Sequence, residues 1–277
     1  MQKTEKKFRY KKRLGQNFLY QRNIILQIIS KINLSPDDIF LEIGAGSGYL
    51  TQELAGKVKK LFAVEIDKEA FAILEEKFKD KSNVQLINAD FMELDLRKIM
   101  PIADCQMPNI KIVGNIPYYI TTPIIEKLIE NKDIVEKAYL TVQKEVADRI
   151  TAKEGSKIYG SLSVFVQFYA DARMLLKINR GNFFPVPDVD SALIGLDFKK
   201  KNSIQVKDEQ LFFKIVHAGF SQRRKMLIKN LKRELGTENW ELEEAFKAIG
   251  IGEKARAEDI SILNFAKLSD ILYNKIY

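Results

Sequence analysis

Residues 42–48 read Glu-Ile-Gly-Ala-Gly-Ser-Gly. Glycines at 44, 46 and 48 let the backbone come close to a ligand. Carboxylates beside them, Glu42 and then Glu65, can accept from hydroxyls or pair with an amine. The apolar run Ile39-Phe40-Leu41 precedes the glycines, and an apolar-periodic stretch from Tyr49 to Val58 follows. Glu65 ends the next apolar run, Leu61-Phe62-Ala63-Val64, about 20 residues after the first glycine, where an acid can bind two ribose hydroxyls. Strand, glycine turn, helix, strand and acid in that order make a nucleoside-binding α/β unit. A dinucleotide fingerprint needs its third glycine five positions after the first. Here Gly48 falls at four and Tyr49 takes the fifth place.

The pattern E-x-G-x-G-x-G instead resembles the S-adenosylmethionine (SAM) loop of class I methyltransferases. SAM carries no pyrophosphate for a helix N-terminus to hold, and its amine favours a nearby carboxylate such as Glu42. A second motif, Asn115-Ile116-Pro117-Tyr118, follows the apolar strand Ile110-Lys111-Ile112-Val113 and Gly114. It resembles the motif of methyltransferases that act on exocyclic amino groups. The chemistry explains the residue types. An adenine N6 lone pair is delocalised into the ring, so the amine is a poor nucleophile. Carbonyl acceptors, from the Asn115 side chain and the backbone beside Pro117, draw on its N–H groups and orient the lone pair without titrating. Proline stiffens the turn, and Tyr118 can stack on the base. Positioning is the main catalytic effect.

A third segment, Asn182-Phe183-Phe184-Pro185-Val186-Pro187-Asp188-Val189-Asp190-Ser191, is extended and rigid because of its two prolines. Phe183 or Phe184 can cover the second face of a target base, or both can anchor the loop in the core.

These segments need a frame. Strand-type runs occur near 39–43, 60–65, 84–88, 110–114, 137–142, 173–178 and 191–198. Amphipathic helical stretches lie near 21–32, 49–58, 68–79, 122–131, 143–152 and 161–170. The alternation predicts a mostly parallel, doubly wound α/β sheet whose ligands lie at the strands' C-terminal ends. Glu42, Glu65, Asp90 and Asn115 all fall at such ends. Beyond the polar linker Lys199-Lys200-Lys201-Asn202-Ser203, helical stretches near 208–219, 223–235, 240–249 and 261–275 predict a small all-helical domain. The expected division is a basic tail at 1–13, a catalytic domain at 14–201 and a helical domain at 202–277.

At 277 residues and 46% hydrophobic content, the chain can build a real core. No apolar run reaches the length of a membrane span, and no apolar signal segment follows the basic start, so a cytoplasmic protein is expected. A single cysteine, Cys105, excludes an internal disulfide and a cysteine zinc cluster. A single histidine, His217, excludes a multi-histidine metal site, and it is expected to be structural. No metal is expected. The net charge of +8 is concentrated. Lys3, Lys6, Lys7, Arg9, Lys11, Lys12 and Arg13 face Glu5 alone, and Arg223, Arg224, Lys225, Lys229, Lys232 and Arg233 form a second block. Two such blocks beside a nucleoside-type site suit a nucleic acid, whose phosphates give sequence-independent affinity. A solvated tail and helix face is the plainer alternative.

Taken together, Leu14-Gly15-Gln16-Asn17-Phe18-Leu19, the glycine loop, Asn115-Ile116-Pro117-Tyr118 and F-x-P-x-P-x-V-D-S at 183–191 resemble the rRNA adenine N6-dimethyltransferase family over about residues 9–272. Phe220-Ser221-Gln222-Arg223-Arg224-Lys225 and Arg256-Ala257-Glu258-Asp259-Ile260-Ser261 are similar to its small-subunit biogenesis branch. That resemblance implies a class I SAM-dependent methyltransferase fold, Rossmann-like, with a helical C-terminal domain. It implies dimethylation of two adjacent adenosines in the 3′-terminal hairpin of 16S rRNA, within the assembling 30S particle, by a monomer. By position, Asn17 and Leu19 would contact SAM, Gly44 and Gly46 line its loop, Glu65 bind the ribose and Asp90 accept from the adenine amine. Asn115 would serve cofactor and target, with Pro117, Tyr118 and Phe183 completing the catalytic group. Lys11, Lys12, Arg13, Arg223, Arg224 and Lys225 would hold RNA. Glu65→Ala is expected to weaken SAM binding and leave the melting temperature nearly unchanged. Two departures are Tyr119, where many relatives have asparagine, and Ile116 for a common leucine; Ile116 occurs in the macrolide-resistance branch too, which keeps that branch, acting on large-subunit rRNA, as an alternative. An assembly factor with little catalysis is another. A small-molecule or DNA amine methylase is a weaker third.

Overall fold

The computed structural model describes residues 17–99, 109–198, 204–236 and 239–276. These form two compact units, one drawn from Met1–Ala147 and Arg173–Lys199, the other from Asp148–Ala172 and Lys200–Tyr277. The expected single boundary near residue 201 is therefore not how the described residues pack. Residues 148–172, placed by sequence in the catalytic domain, group with the C-terminal helices.

The first unit contains β1 (Phe18–Leu19), α1 (Arg22–Lys31), β2 (Ile39–Ile43), α2 (Tyr49–Ala55), β3 (Lys60–Glu65), α3 (Lys68–Phe78) and β4 (Val84–Asn88). There follow α4 (Leu96–Ile99), β5 (Ile110–Asn115), α5 (Thr121–Glu130), β6 (Val135–Gln143), the start of α6 (Lys144–Ile150), most of β7 (Asp171–Ile178), β8 (Phe183–Phe184) and β9 (Ser191–Asp197). A seven-stranded sheet runs in the order β4-β3-β2-β5-β6-β9-β7. Neighbours from β4 to β6 are parallel, and β9 runs antiparallel to β6. This is the Rossmann-like doubly wound arrangement, and β2 and β5 lie side by side at its centre. Their pairing places Glu42 beside Val113 and Ile43 beside Gly114. A Cβ at Gly114 would stand 2.9 Å from the Ile43 carbonyl oxygen, so only glycine lets Asn115 follow so close to the glycine turn.

Side chains alternate across each strand. Phe40, Leu61, Val113, Tyr139 and Leu193 meet Ile25, Ile28 and Leu54 of α1 and α2 in one buried cluster. The same face carries a buried cation. Lys111 Nζ donates to Asp38 Oδ2 at 2.7 Å, Asp38 Oδ1 at 2.8 Å and the Asn33 carbonyl at 3.0 Å, which satisfies a charge within the sheet.

The sequence pattern did not anticipate the small ribbon of β1 and β8. Their antiparallel pairing sets Phe18 opposite Phe184 and Leu19 opposite Phe183. It holds residues 18–19 beside the F-x-P segment.

The second unit comprises α7 (Ser161–Tyr169), α8 (Glu209–Phe220), α9 (Leu227–Leu235), α10 (Asn239–Ala248) and α11 (Ile262–Ile276), with the end of α6. Phe168 stacks on Phe212 at 4.7 Å between ring centres, and Tyr169 donates to Glu209 at 2.8 Å. These contacts bind α7 to α8. His217, expected to be structural, lies on the exposed side of α8. No helix among the described residues is long and apolar enough to cross a membrane.

Candidate active site

Two adjoining cavities open at the C-terminal ends of β2, β3, β4 and β5. The larger contains about 1020 Å³ of empty space, including its open mouth, and is walled in part by Asn17, Gly44, Glu65, Asp90, Asn115 and Tyr118. The smaller, of about 480 Å³, is walled in part by Leu19, Glu42 and Ser47. Phe18, Gly44 and Asn115 line both. Gly44 has φ +69°, and a Cβ there would meet nothing nearer than the Asn115 carbonyl oxygen at 3.9 Å. Any side chain at this position would project into the cleft, so the wall is backbone.

Glu65 ends β3 with its carboxylate buried at 3% exposure. Its Oε2 accepts from Gly46 N at 2.7 Å and its Oε1 from Asp67 N at 2.8 Å. Burial raises its pKa, and those two N–H donors oppose the shift. Each oxygen retains a lone pair for a further donor, the geometry a ribose diol requires. The Gly46 N–H points at Glu65, and a Cβ at Gly46 would strike the Phe18 ring at 2.7 Å. Gly46 thus both orients the acid and admits Phe18.

Glu42, 2% exposed, accepts from Thr51 Oγ1 at 2.7 Å. Burial pushes its pKa up to about 8, with Thr51 opposing, so the carboxyl is largely protonated at neutral pH until a cation reaches it. Asp90 lies just past β4. Its Oδ1 accepts from Met92 N at 2.8 Å and so fixes the carboxylate at the cleft wall.

Asn115 ends β5. Its Nδ2 donates to the Asn17 carbonyl oxygen at 2.7 Å. With the nitrogen so engaged, the amide's orientation is set and Oδ1 is the acceptor that remains. Pro117 leads into a 3-10 turn, Tyr118–Ile120. The half-buried Tyr118 hydroxyl is 2.7 Å from Ser191 Oγ, and burial raises its pKa. This bond joins the Asn-Ile-Pro-Tyr turn to the last residue of the F-x-P-x-P-x-V-D-S segment. The site therefore offers paired acceptors beside an aromatic ring, next to a backbone-walled cleft. A family model described as ribosomal RNA adenine dimethylase matches residues 7–274.

The chain belongs to the ribosomal RNA adenine dimethylase family. It is 44% identical to ribosomal RNA small subunit methyltransferase A of Caldanaerobacter subterraneus subsp. tengcongensis, over 95% of this chain and 97% of that one. It is 41% identical to the protein of the same name from Clostridium acetobutylicum, over 96% and 95%. Among solved structures, the 23S rRNA methyltransferase ErmE superposes with a TM-score of 0.72 at 27% identity, covering 93% of this chain and all of that one. A dimethyladenosine transferase from Plasmodium falciparum shares the fold, with a TM-score of 0.75 at 24% identity over 93% and 97%.

Within this dimethylase the structure brings Asn17, Glu42, Gly44, Glu65, Asp90, Asn115, Pro117 and Tyr118 to the two cavities. Leu19 also lines the smaller one, although it is mostly buried. Phe183 requires a correction. It is 1% exposed and packs with Leu19, Ile25 and Ile28, because its partner position on β1 faces the core. Phe184 is the one of the pair that reaches the surface, at 48% exposure. Arg223 also differs from expectation. It sits in the turn between α8 and α9, not on a helix, and its guanidinium donates to the Lys157 carbonyl at 3.0 Å and the Tyr159 carbonyl at 2.8 Å. Arg224 and Lys225 are exposed beside it. Lys11, Lys12 and Arg13, like Cys105, lie outside the described residues.

Several site residues escaped the sequence reading. Phe18 lies inside a quoted motif but carried no assigned role. Ile66, 47% exposed, and Phe91 wall the larger cleft. Ile66 directly follows Glu65, a position from which an apolar side chain can cover a planar ligand. Ser191 was quoted only as a motif letter, and nothing local marks it as the partner of Tyr118.

Proposed function

We propose that this dimethylase transfers methyl groups from SAM to N6 of two adjacent adenosines in the 3′-terminal hairpin of 16S rRNA, acting as a cytoplasmic monomer on the assembling small subunit. The observation that carries the reading is the Asn115 amide. It is held through Nδ2 and lines both cavities, which leaves Oδ1 as the acceptor available to a substrate amine. The small-subunit names of relatives at 41–44% identity support the choice of particle.

The residues fit SAM. Gly44 leaves its wall open. Glu65 and Asp90 offer acceptors for a nucleoside, and Glu42 offers a carboxylate for an amine. When bound, SAM supplies a methyl group activated by a sulfonium. The chain does the rest by placement. Asn115 Oδ1 and the backbone carbonyl beside Pro117 accept from the target amine, which concentrates electron density on nitrogen and aligns it. Tyr118 supports the base from the side, its ring fixed through Ser191. The target base leaves its stack to reach this site.

Methyl transfer from labelled SAM to undermodified small subunits and, in parallel, to large-subunit RNA, with the modified bases mapped, tests the proposal. Modification of two neighbouring adenosines near the 3′ end is the expected result. Modification of large-subunit RNA alone would transfer the assignment to the resistance branch.

A further inference from the structure

We propose that Lys127 is a positioning residue for the nucleoside end of the cleft, holding the main chain of residues 90–95 in the shape that presents Asp90 to an adenine amino group. The inference rests on the adenine-binding reading of Asp90.

Lys127 lies in the last turn of α5. Its Nζ donates to the Met92 carbonyl and to the Leu94 carbonyl, both at 2.7 Å. It also stands 5.3 Å from the centre of the Phe91 ring, which is itself 5% exposed. One ammonium thus touches three residues of a short loop. That loop follows β4, the edge strand of the sheet. On the sheet side, Ala89 N donates to the Glu65 carbonyl at 3.2 Å and Asn88 Nδ2 to the same oxygen at 2.8 Å. Beyond Asp90, the loop's own bonds are tight-turn contacts, Glu93 N to the Asp90 carbonyl at 3.1 Å and Leu94 N to the Phe91 carbonyl at 3.3 Å. Such turns fix a local bend but not its attitude to the rest of the fold. Lys127 supplies that attitude from a helix.

The coupling to Asp90 is direct. Asp90 Oδ1 accepts from Met92 N, and Lys127 grips the carbonyl of that same residue. The peptide groups on either side of Met92 are therefore both held, one by the acid that would read the ligand and one by the lysine. Burial lowers the Lys127 pKa, while Asp90, Glu130 and Asp95 favour its charged form. Lysine is a flexible, strongly hydrated point charge, and tying it between two carbonyls costs side-chain freedom. A purely solvating lysine would not need that restraint. Replacing it with an apolar side chain leaves two part-buried carbonyls without their charged donor.

The test is calorimetric binding to the full chain of S-adenosylhomocysteine and of its inosine counterpart, in which an oxo group replaces the purine amine. Asp90 accepts from the amine and repels the oxo group, so the parent protein prefers the adenine ligand. Lys127→Met is expected to reduce that preference by about tenfold, the size of one charge-assisted hydrogen bond. Lys127→Arg, which keeps a cation and several donors, is expected to stay within about threefold of the parent, well under one decade. If Lys127→Met does not fold, Lys127→Gln is read in the same way. Unchanged preference in Lys127→Met, beside lost preference in Asp90→Asn, overturns the proposal alone. Unchanged preference in Asp90→Asn overturns the reading of Asp90 and this proposal with it.

Discussion

Asn115 donates from its side-chain nitrogen to the main-chain oxygen of Asn17, 2.7 Å away across 98 positions of sequence. The bond ties the Asn-Ile-Pro-Tyr turn to the segment Asn17-Phe18-Leu19 and commits the amide to one orientation. Asn115→Ala removes both the acceptor and the tie. Single-turnover methylation at saturating SAM is expected to fall by roughly 10²–10³, as for loss of one preorganised polar group. RNA affinity should barely move, since phosphate contacts dominate it. Asn115→Asp keeps an acceptor but faces the Asn17 carbonyl with an oxygen, so it too should be slow. Near-normal rates in both would place the target amine elsewhere.

Glu65 makes the expected cofactor test less clean than its sequence suggests. Its carboxylate caps two buried N–H groups, Gly46 and Asp67, before any ligand arrives. Removing it leaves both without their acceptor, at about 1–3 kcal/mol for each unsatisfied group. Glu65→Ala should therefore weaken SAM binding by calorimetry and also lower the melting temperature by several degrees. The sequence alone predicted a nearly unchanged melting temperature. A variant that melts like the parent would show that water replaces the carboxylate at no cost.

The contrast between Glu65 and Phe183 shows what a sequence can carry. Glu42, Glu65, Asp90 and Asn115 were legible because a parallel sheet sends every strand's C-terminal end to one rim. Strand ends are set by apolar runs a few residues long, and the observed strands at 39–43, 60–65 and 84–88 match those runs. Which of two adjacent phenylalanines faces inward was not legible. It depends on the register of β8 against β1, a strand pair too short to show a period of two. The same limit applies to Tyr118 and Ser191, which meet only after the chain has traversed β6, residues 148–172 of the second unit and β7. The role of residues 148–172 was hidden for a related reason: their helical pattern is the same whichever unit they join.

Arg223, Arg224 and Lys225 looked equivalent as one basic block. The structure separates them. All three side chains are exposed, but Arg223 also holds two carbonyls of the 157–159 loop. Arg223→Ala should lower thermal stability, since two carbonyls lose a charged donor. Arg224→Ala with Lys225→Ala should leave stability within experimental scatter. That pair should instead flatten the salt dependence of RNA binding, by up to about 0.9 in slope for each phosphate no longer neutralised. An unchanged slope in the double variant would make these two side chains a solvated face. Unaltered melting of Arg223→Ala would mean that the loop does not depend on its guanidinium.

Glu42 predicts the pH dependence. Its folded pKa, raised by burial to about 8, lies above the ordinary value of 4.5. Between those two values the folded free protein binds a proton that the unfolded chain has released. Stability therefore falls as pH rises through that window, by at most about 1.4 kcal/mol for each pH unit. Below the window the contribution is fully present, and above about pH 8 it is lost. Glu42→Gln has no such proton to lose. Denaturant midpoints of the two proteins, measured from pH 5 to pH 8.5, should diverge steadily as pH rises, with the parent losing ground. Glu65 is also shifted upward, and its charge helps to raise the Glu42 pKa, so the difference between the two proteins carries that interaction together with the Glu42 proton. Saturating SAM should reduce the divergence, because its amine stabilises the ionised carboxylate. Parallel midpoint curves without ligand would show that Glu42 is already ionised in the free protein, with water reaching it through the smaller cavity.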